Sequence, residues 1–213
     1  MSLIQTISEH KVVAIIRKAD ENNIIPILKA LDEGGVKAVE ITAETPRITN
    51  LIEKAVAEYG GKIGIGAGTV LDPETARAVI MAGAEFIVSP TLNTETLKLT
   101  NRYGVLNIPG ALTPTEIVTA YEHGAGMVKV FPADAFGPKY MKNVHGPLPH
   151  IPLMATGGVT LDNMNEFIAH GSKAVGIGSN LVNVSKLHTR EDYDNLALQA
   201  SRFVTMQKEL NLS

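Results

Sequence analysis

The sequence predicts a single-domain (β/α)₈ (TIM) barrel, and three observations predict it. Eight short apolar runs recur at intervals of about 20 to 25 residues: VVAIIR, VKAVEIT, IGIGAGTV, EFIVSP, VLNIPG, GMVKVFP, IPLMATGG and KAVGIGS. Helical patterns lie between them, and several stop at a glycine just before the next run, as in LDEGG, IMAG, NRYG, YEHG and IAHG. Glycine one position past a helix suits the left-handed cap. Helix starts carry their own marks: Asp72 before Pro73, Thr113 before Pro114, and Thr189 three residues before Asp192, which opens a last helix over about 190–210.

Continuously apolar strands alternating with helices imply a parallel sheet covered on its outer face. Eight such units close into a barrel whose strand C-terminal ends face the active site. An open doubly wound sheet would need a dinucleotide fingerprint in GIGAGTV. Gly66 and Gly68 are present there, but Leu71 stands where the third glycine belongs and Asp72 follows.

With 213 residues, 45% of them hydrophobic, and no Ser/Gly-rich, Pro-rich or like-charge linker, one domain spanning 1–213 is expected. A net charge of −3 offers no basic surface for nucleic acid. No apolar run approaches the roughly 20 residues needed to cross a bilayer, and MSLIQTISEHK lacks the basic region and apolar core of an export signal. A cytoplasmic protein that binds no membrane is expected. The absence of cysteine removes disulfides, zinc–thiolate sites and cysteine nucleophiles.

The chemistry is read from the strand ends. In GMVKVFP, alternation puts Met127, Lys129 and Phe131 on one face and Val128 and Val130 on the other. The valines suit the helix layer, which sends Lys129 into the barrel. Lost hydration disfavours the charged amine, so a neutral nucleophile able to form a Schiff base is one reading, and a structural ion pair is the other. In VKAVEIT the same parity turns Ala38, Glu40 and Thr42 inward. A buried carboxylate needs company, so Glu40 and Lys129 are expected near one another or near a polar ligand. An inward base beside an inward amine is what carbon–carbon cleavage through an iminium requires.

Arg17 ends the first strand on the face of Val13 and Ile15 and offers a cation for a carboxylate or phosphate. Thr156, Gly157 and Gly158 in ATGGV, and Gly176, Gly178 and Ser179 in GIGSNL, end the last two strands, where barrels commonly hold phosphate. The six histidines fall at no usual metal-ligand spacing; His123 and His170 precede helix-ending glycines, where an imidazolium complements the helix dipole.

These residues resemble a known family. VEIT with Glu40, GAGTV with Thr69, IVSP with Pro90, NIPG, MVKVFPA with Lys129, ATGGV and GIGSNLV are similar, in order and from about residue 10 to 185, to the 2-keto-3-deoxy-6-phosphogluconate / 4-hydroxy-2-oxoglutarate aldolases. The resemblance implies a usually trimeric (β/α)₈ class I aldolase, free of metal and cofactor, that cleaves a phosphorylated 2-keto-3-deoxy sugar acid to pyruvate and glyceraldehyde 3-phosphate. A homotrimer is therefore expected.

The resemblance implies Lys129 as Schiff-base lysine and Glu40 as general acid/base, with Thr69 and Pro90 lining the pyruvate pocket and Phe131 walling it. Thr156, Gly157, Gly158, Gly178 and Ser179 border the phosphorylated end. One departure stands out: where phosphogluconate members carry an arginine four residues after the glutamate, this chain has Glu44. An acid there would repel the keto-acid carboxylate, so Arg17 is the expected clamp and Arg47 the poorer candidate, ETPR being close to a helix start. AIIR around Arg17 and AFGPKY at 135–140 also resemble the phosphogalactonate aldolases, which leaves the epimer open. A metal-dependent phosphosugar epimerase and a non-catalytic phosphosugar-binding protein are the remaining alternatives.

Overall fold

The computed structural model describes residues 1–210. Helix α1 (Leu3–His10) precedes the repeat, and β1 (Val12–Ile16), α2 (Ile24–Glu33), β2 (Ala38–Thr42), α3 (Ile48–Tyr59), β3 (Gly64–Gly68), α4 (Pro73–Met81), β4 (Phe86–Val88), α5 (Thr94–Tyr103), β5 (Leu106–Ile108), β6 (Gly110–Ala111), α6 (Pro114–Glu122), β7 (Val128–Val130), α7 (Pro138–His145), β8 (Leu153–Thr156), α8 (Met164–Ala169), β9 (Ser172–Ile177) and α9 (Arg190–Leu210) follow. The strands form one sheet in the order β5-β4-β3-β2-β1-β9-β8-β7-β6, every pair parallel.

The eight expected strands become nine because the fifth apolar run is broken at Pro109. Proline cannot donate to a ladder, so β5 stops before it and pairs with β4, while β6 starts after it and pairs with β7. The two ends of the sheet are thus one stretch of chain, Leu106–Ala111, and that stretch closes the barrel.

The helix signals act as read. Asp72 accepts from the Thr75 amide at 2.6 Å, and Thr113 and Glu116 form a reciprocal capping box. The helix-ending glycines Gly35, Gly83, Gly104, Gly124 and Gly171 all have positive φ, from 68° to 110°. His123 and His170 set Nδ1 2.8 Å from the carbonyls of Thr119 and Glu166, at the C-terminal ends of α6 and α8.

Two apolar regions follow from strand alternation. The outer one joins Val39, Ile41, Val128, Val130 and their like to the helices. The inner one fills the barrel with Val13, Ala38, Phe86, Val88, Ile108, Met127, Met154 and Ala174, and Ile7 of α1 plugs its N-terminal end with Leu3 and Ile4 packed alongside. Ile7 is 1% exposed. Ile7→Ala is expected to cost about 2–4 kcal/mol through the cavity it leaves, lowering Tm by roughly 5–15 °C in a chain of this size, as measured by thermal denaturation.

Candidate functional site

The polar site sits directly above the inner apolar layer. Just before β7, Met127 lies in that layer, and Lys129 on β7 stands one step higher; on β2, Ala38 lies in it and Glu40 one step higher. Both charged residues face inward and are almost sealed, Glu40 at 1% and Lys129 at 3% exposure. Room for the carboxylate comes from β3: a Cβ on Gly68 would stand 2.5 Å from Glu40 Oε1.

Glu40 and Lys129 are close enough to influence each other's charge, yet no bond within 4.0 Å joins them, and neither Glu40 oxygen has a hydrogen-bond partner. Burial dominates both groups. It pushes the Glu40 carboxyl above its ordinary range, opposed by the attraction of Lys129 and then Arg17. It pulls the Lys129 amine below the ordinary lysine value, with Glu40 opposing and Arg17 adding to the effect. Both groups are thus shifted toward their uncharged forms. The ring of Phe131 faces Lys129 Nζ with its centroid 5.0 Å away and walls that side of the amine.

Thr69 follows β3 in the left-handed region (φ 56°), a strained choice for a β-branched residue, and Pro90 follows β4 two residues after its end. Gly110 lets the barrel-closing segment pass beside Pro90, since a Cβ there would meet the Pro90 carbonyl at 2.3 Å.

The glycine ends of β8 and β9 and the end of β1 share one cavity of about 170 Å³, lined by Ile15, Arg17, Phe131, Thr156, Gly157, Gly158, Val159, Gly176, Gly178, Ser179 and Asn180. The Thr156 hydroxyl is buried without a partner. Arg17 belongs to this cavity because β1 pairs with β9, so its C-terminal end opens beside Gly178 and Ser179. Thr69 and Pro90 do not line it. The structure therefore gathers Arg17 with the residues expected at the phosphorylated end and with Phe131, expected at the pyruvate pocket.

Glu44 is the partner of Arg17: Nη1 lies 3.0 Å from Oε1, with both side chains half exposed. Sequence reading marked Glu44 as unable to hold an anion but missed this pairing, because the two residues are 27 apart and meet only through the β1–β2 register. Arg47 caps α3 from the left-handed region, pairs with Glu21 at 3.1 Å and faces a separate cavity of about 530 Å³ with Lys18 and Asp20. Ile15, Val159 and Asn180 were also unforeseen as cavity walls, although Asn180 adjoins Ser179 in the glycine-rich turn. Among the described residues no three His, Asp or Glu side chains gather as metal ligands, and no helix is long and apolar enough to cross a membrane.

A desolvated lysine and carboxyl group, with a cation and glycine-rich turns, thus mark the C-terminal mouth of this parallel barrel as its candidate site. The profile of the KDPG and KHG aldolases matches residues 3–198, and the chain belongs to that family. It is 36% identical over 198 residues to the 2-dehydro-3-deoxy-6-phosphogalactonate aldolase of Escherichia coli K12, covering 92% of this chain and 94% of that one. It is 38% identical over 162 residues to a 2-dehydro-3-deoxy-phosphogluconate aldolase of Pseudomonas aeruginosa, covering 76% and 73%. The KDPG aldolase of Legionella pneumophila, solved with pyruvate captured as a covalent carbinolamine, superposes with a TM-score of 0.86 at 26% identity, covering 94% of this chain and 97% of that one.

The unpartnered Glu40 carboxyl carries a stability cost. Glu40→Gln is expected to remove cleavage activity and to raise Tm by about 2–4 °C, as removal of roughly 1 kcal/mol of buried-charge penalty would. Activity and calorimetry on the same preparation check both halves.

Proposed function

We propose that this protein is a class I aldolase that cleaves 2-keto-3-deoxy-6-phosphogluconate to pyruvate and glyceraldehyde 3-phosphate, and 4-hydroxy-2-oxoglutarate to pyruvate and glyoxylate. The observation that carries the reading is the sealed Lys129 amine, its charge disfavoured, facing the unpartnered carboxyl of Glu40. The phosphogalactonate epimer is the second reading, favoured by the relative that matches 92% of the chain.

The neutral Nζ of Lys129 adds to the C2 ketone, and the protonated Glu40 carboxyl gives its proton to the departing hydroxyl of the carbinolamine, so that water leaves and a protonated iminium and the Glu40 carboxylate remain. Glu40 takes the proton of the C4 hydroxyl, the C3–C4 bond breaks, the aldehyde leaves, and the bonding pair enters the iminium as an enamine. Glu40 returns the proton to C3, and water releases pyruvate and regenerates the amine. Thr69 and Pro90 border the carboxylate side of pyruvate, and Phe131 walls the Schiff base. Arg17, Thr156, Gly157, Gly158, Gly178 and Ser179 receive the far end of the substrate, a role supported by their common cavity. Electrons are stored in the iminium, so no metal takes part. The reading includes a cytoplasmic enzyme working as a homotrimer; exposed Phe136, stacked on Tyr140 at 5.2 Å outside the mouth, is consistent with a subunit contact.

Pyruvate release from the two phosphorylated epimers and from 4-hydroxy-2-oxoglutarate tests the function. Cleavage should survive EDTA and vanish in Lys129→Arg, whose guanidinium stays protonated. Loss on chelation restored by a divalent metal would contradict it. Arg17→Ala should weaken phosphorylated substrates by about 10- to 100-fold, as loss of a ~1.5–3 kcal/mol charge-assisted bond requires. Ser179→Ala should act in the same direction and less. Loss of pyruvate affinity in Arg17→Ala would instead assign Arg17 to the keto-acid carboxylate.

A further inference from the structure

The two glycine-rich turns are held open by asparagine side chains. Asn163 Nδ2 donates to the Gly158 carbonyl at 2.9 Å, and its Oδ1 accepts from the Thr160 amide at 2.9 Å. Asn180 Nδ2, from the opposite turn, donates to the Val159 carbonyl at 2.8 Å. The Gly158–Val159 and Val159–Thr160 peptides are thereby fixed in orientation. A trans peptide points its N–H opposite to its C=O, so tying the Gly158 oxygen to Asn163 turns the Val159 N–H away from Asn163.

The other turn is fixed in the same way. The Gly178 carbonyl accepts from Leu181 and Val182 at 2.9 and 2.8 Å, which turns the Ser179 N–H in the opposite direction. Among the described residues, the N–H groups of Gly157, Gly158, Val159, Gly178, Ser179 and Asn180 have no protein acceptor. All six residues line the cavity that holds Arg17. Unbonded amides lining one cavity with a guanidinium can receive an anion, and how well they do so depends on which way each peptide is turned. Asn163 is absent from the cavity wall.

We propose that Asn163 and Asn180 are positioning residues that clasp the turns after β8 and β9, orienting their amides toward the phosphoryl group of the substrate. The clasp rests on the phosphosugar reading above and deepens it. Asn163 acts through the Gly158–Thr160 backbone without touching the ligand, and Asn180 ties one turn to the other. Neither asparagine bonds to Lys129 or Glu40, which lie on β7 and β2.

The test uses the full chain and two probes, inorganic phosphate by titration calorimetry and the pair of phosphorylated and unphosphorylated aldol substrates. Asn163→Ala should weaken phosphate binding and raise KM for the phosphorylated substrate about tenfold, leaving kcat and all constants for 4-hydroxy-2-oxoglutarate within twofold. Asn163→Asp keeps the acceptor for Thr160 and loses the donor to Gly158, so it should fall between the wild type and Asn163→Ala if the alanine variant folds poorly. Asn180→Ala should weaken phosphate by a similar factor. Equal losses on both aldol substrates would reduce the asparagines to structural residues and overturn the proposal. An effect of Asn180→Ala with none from either Asn163 variant would make Asn180 a direct ligand, and would overturn it as well. If the wild type releases no pyruvate, the aldolase reading fails, and the phosphate titrations still decide the clasp.

Discussion

Everything at the mouth of this barrel depends on two ionisable groups taken out of water without being bonded to each other. Glu40 and Lys129 stand on opposite parts of the barrel wall, sealed by the apolar layer beneath them and by Phe131 above the amine. A closely bonded pair would offset much of the desolvation cost and hold the amine as an ammonium. Held apart, each group is pushed toward its neutral form.

The barrel supplies what that constraint needs. Pro109 breaks the closing strand, Gly68 makes room for the Glu40 carboxyl, and α1 seals the opposite end so that the interior stays apolar below the reacting groups. Charge at the rim is balanced by Arg17 and Glu44, a half-exposed pair whose members push the Lys129 amine in opposite directions. Exposure limits such a pair to a modest energetic role.

Most of the architecture was legible from residues because it rests on local rules. Period-two alternation correctly sent Lys129 and Glu40 inward and Val39, Ile41, Val128 and Val130 outward, and the capping residues placed α4, α6 and α9. The split at Pro109 was foreseeable from its missing N–H, although the run was read as one strand. The pairing of Arg17 with Glu44 and the clasp by Asn163 and Asn180 were not legible, because each joins residues through sheet order or loop approach. Arg17 was read as the carboxylate clamp from its strand face and from the glutamate at position 44. Its place beside Gly178 and Ser179 follows from the pairing of β1 with β9, an adjacency of the first and last strands that enters only when the barrel closes.

Borohydride reduction in the presence of pyruvate, followed by intact mass and peptide mapping across a pH series, reaches the central claim most directly. The account predicts one adduct, on Lys129, whose formation rises with pH through a midpoint below the ordinary lysine value of 10.5, because burial disfavours the charged amine. An adduct on another lysine, no adduct at all, or a midpoint at or above that value would contradict it.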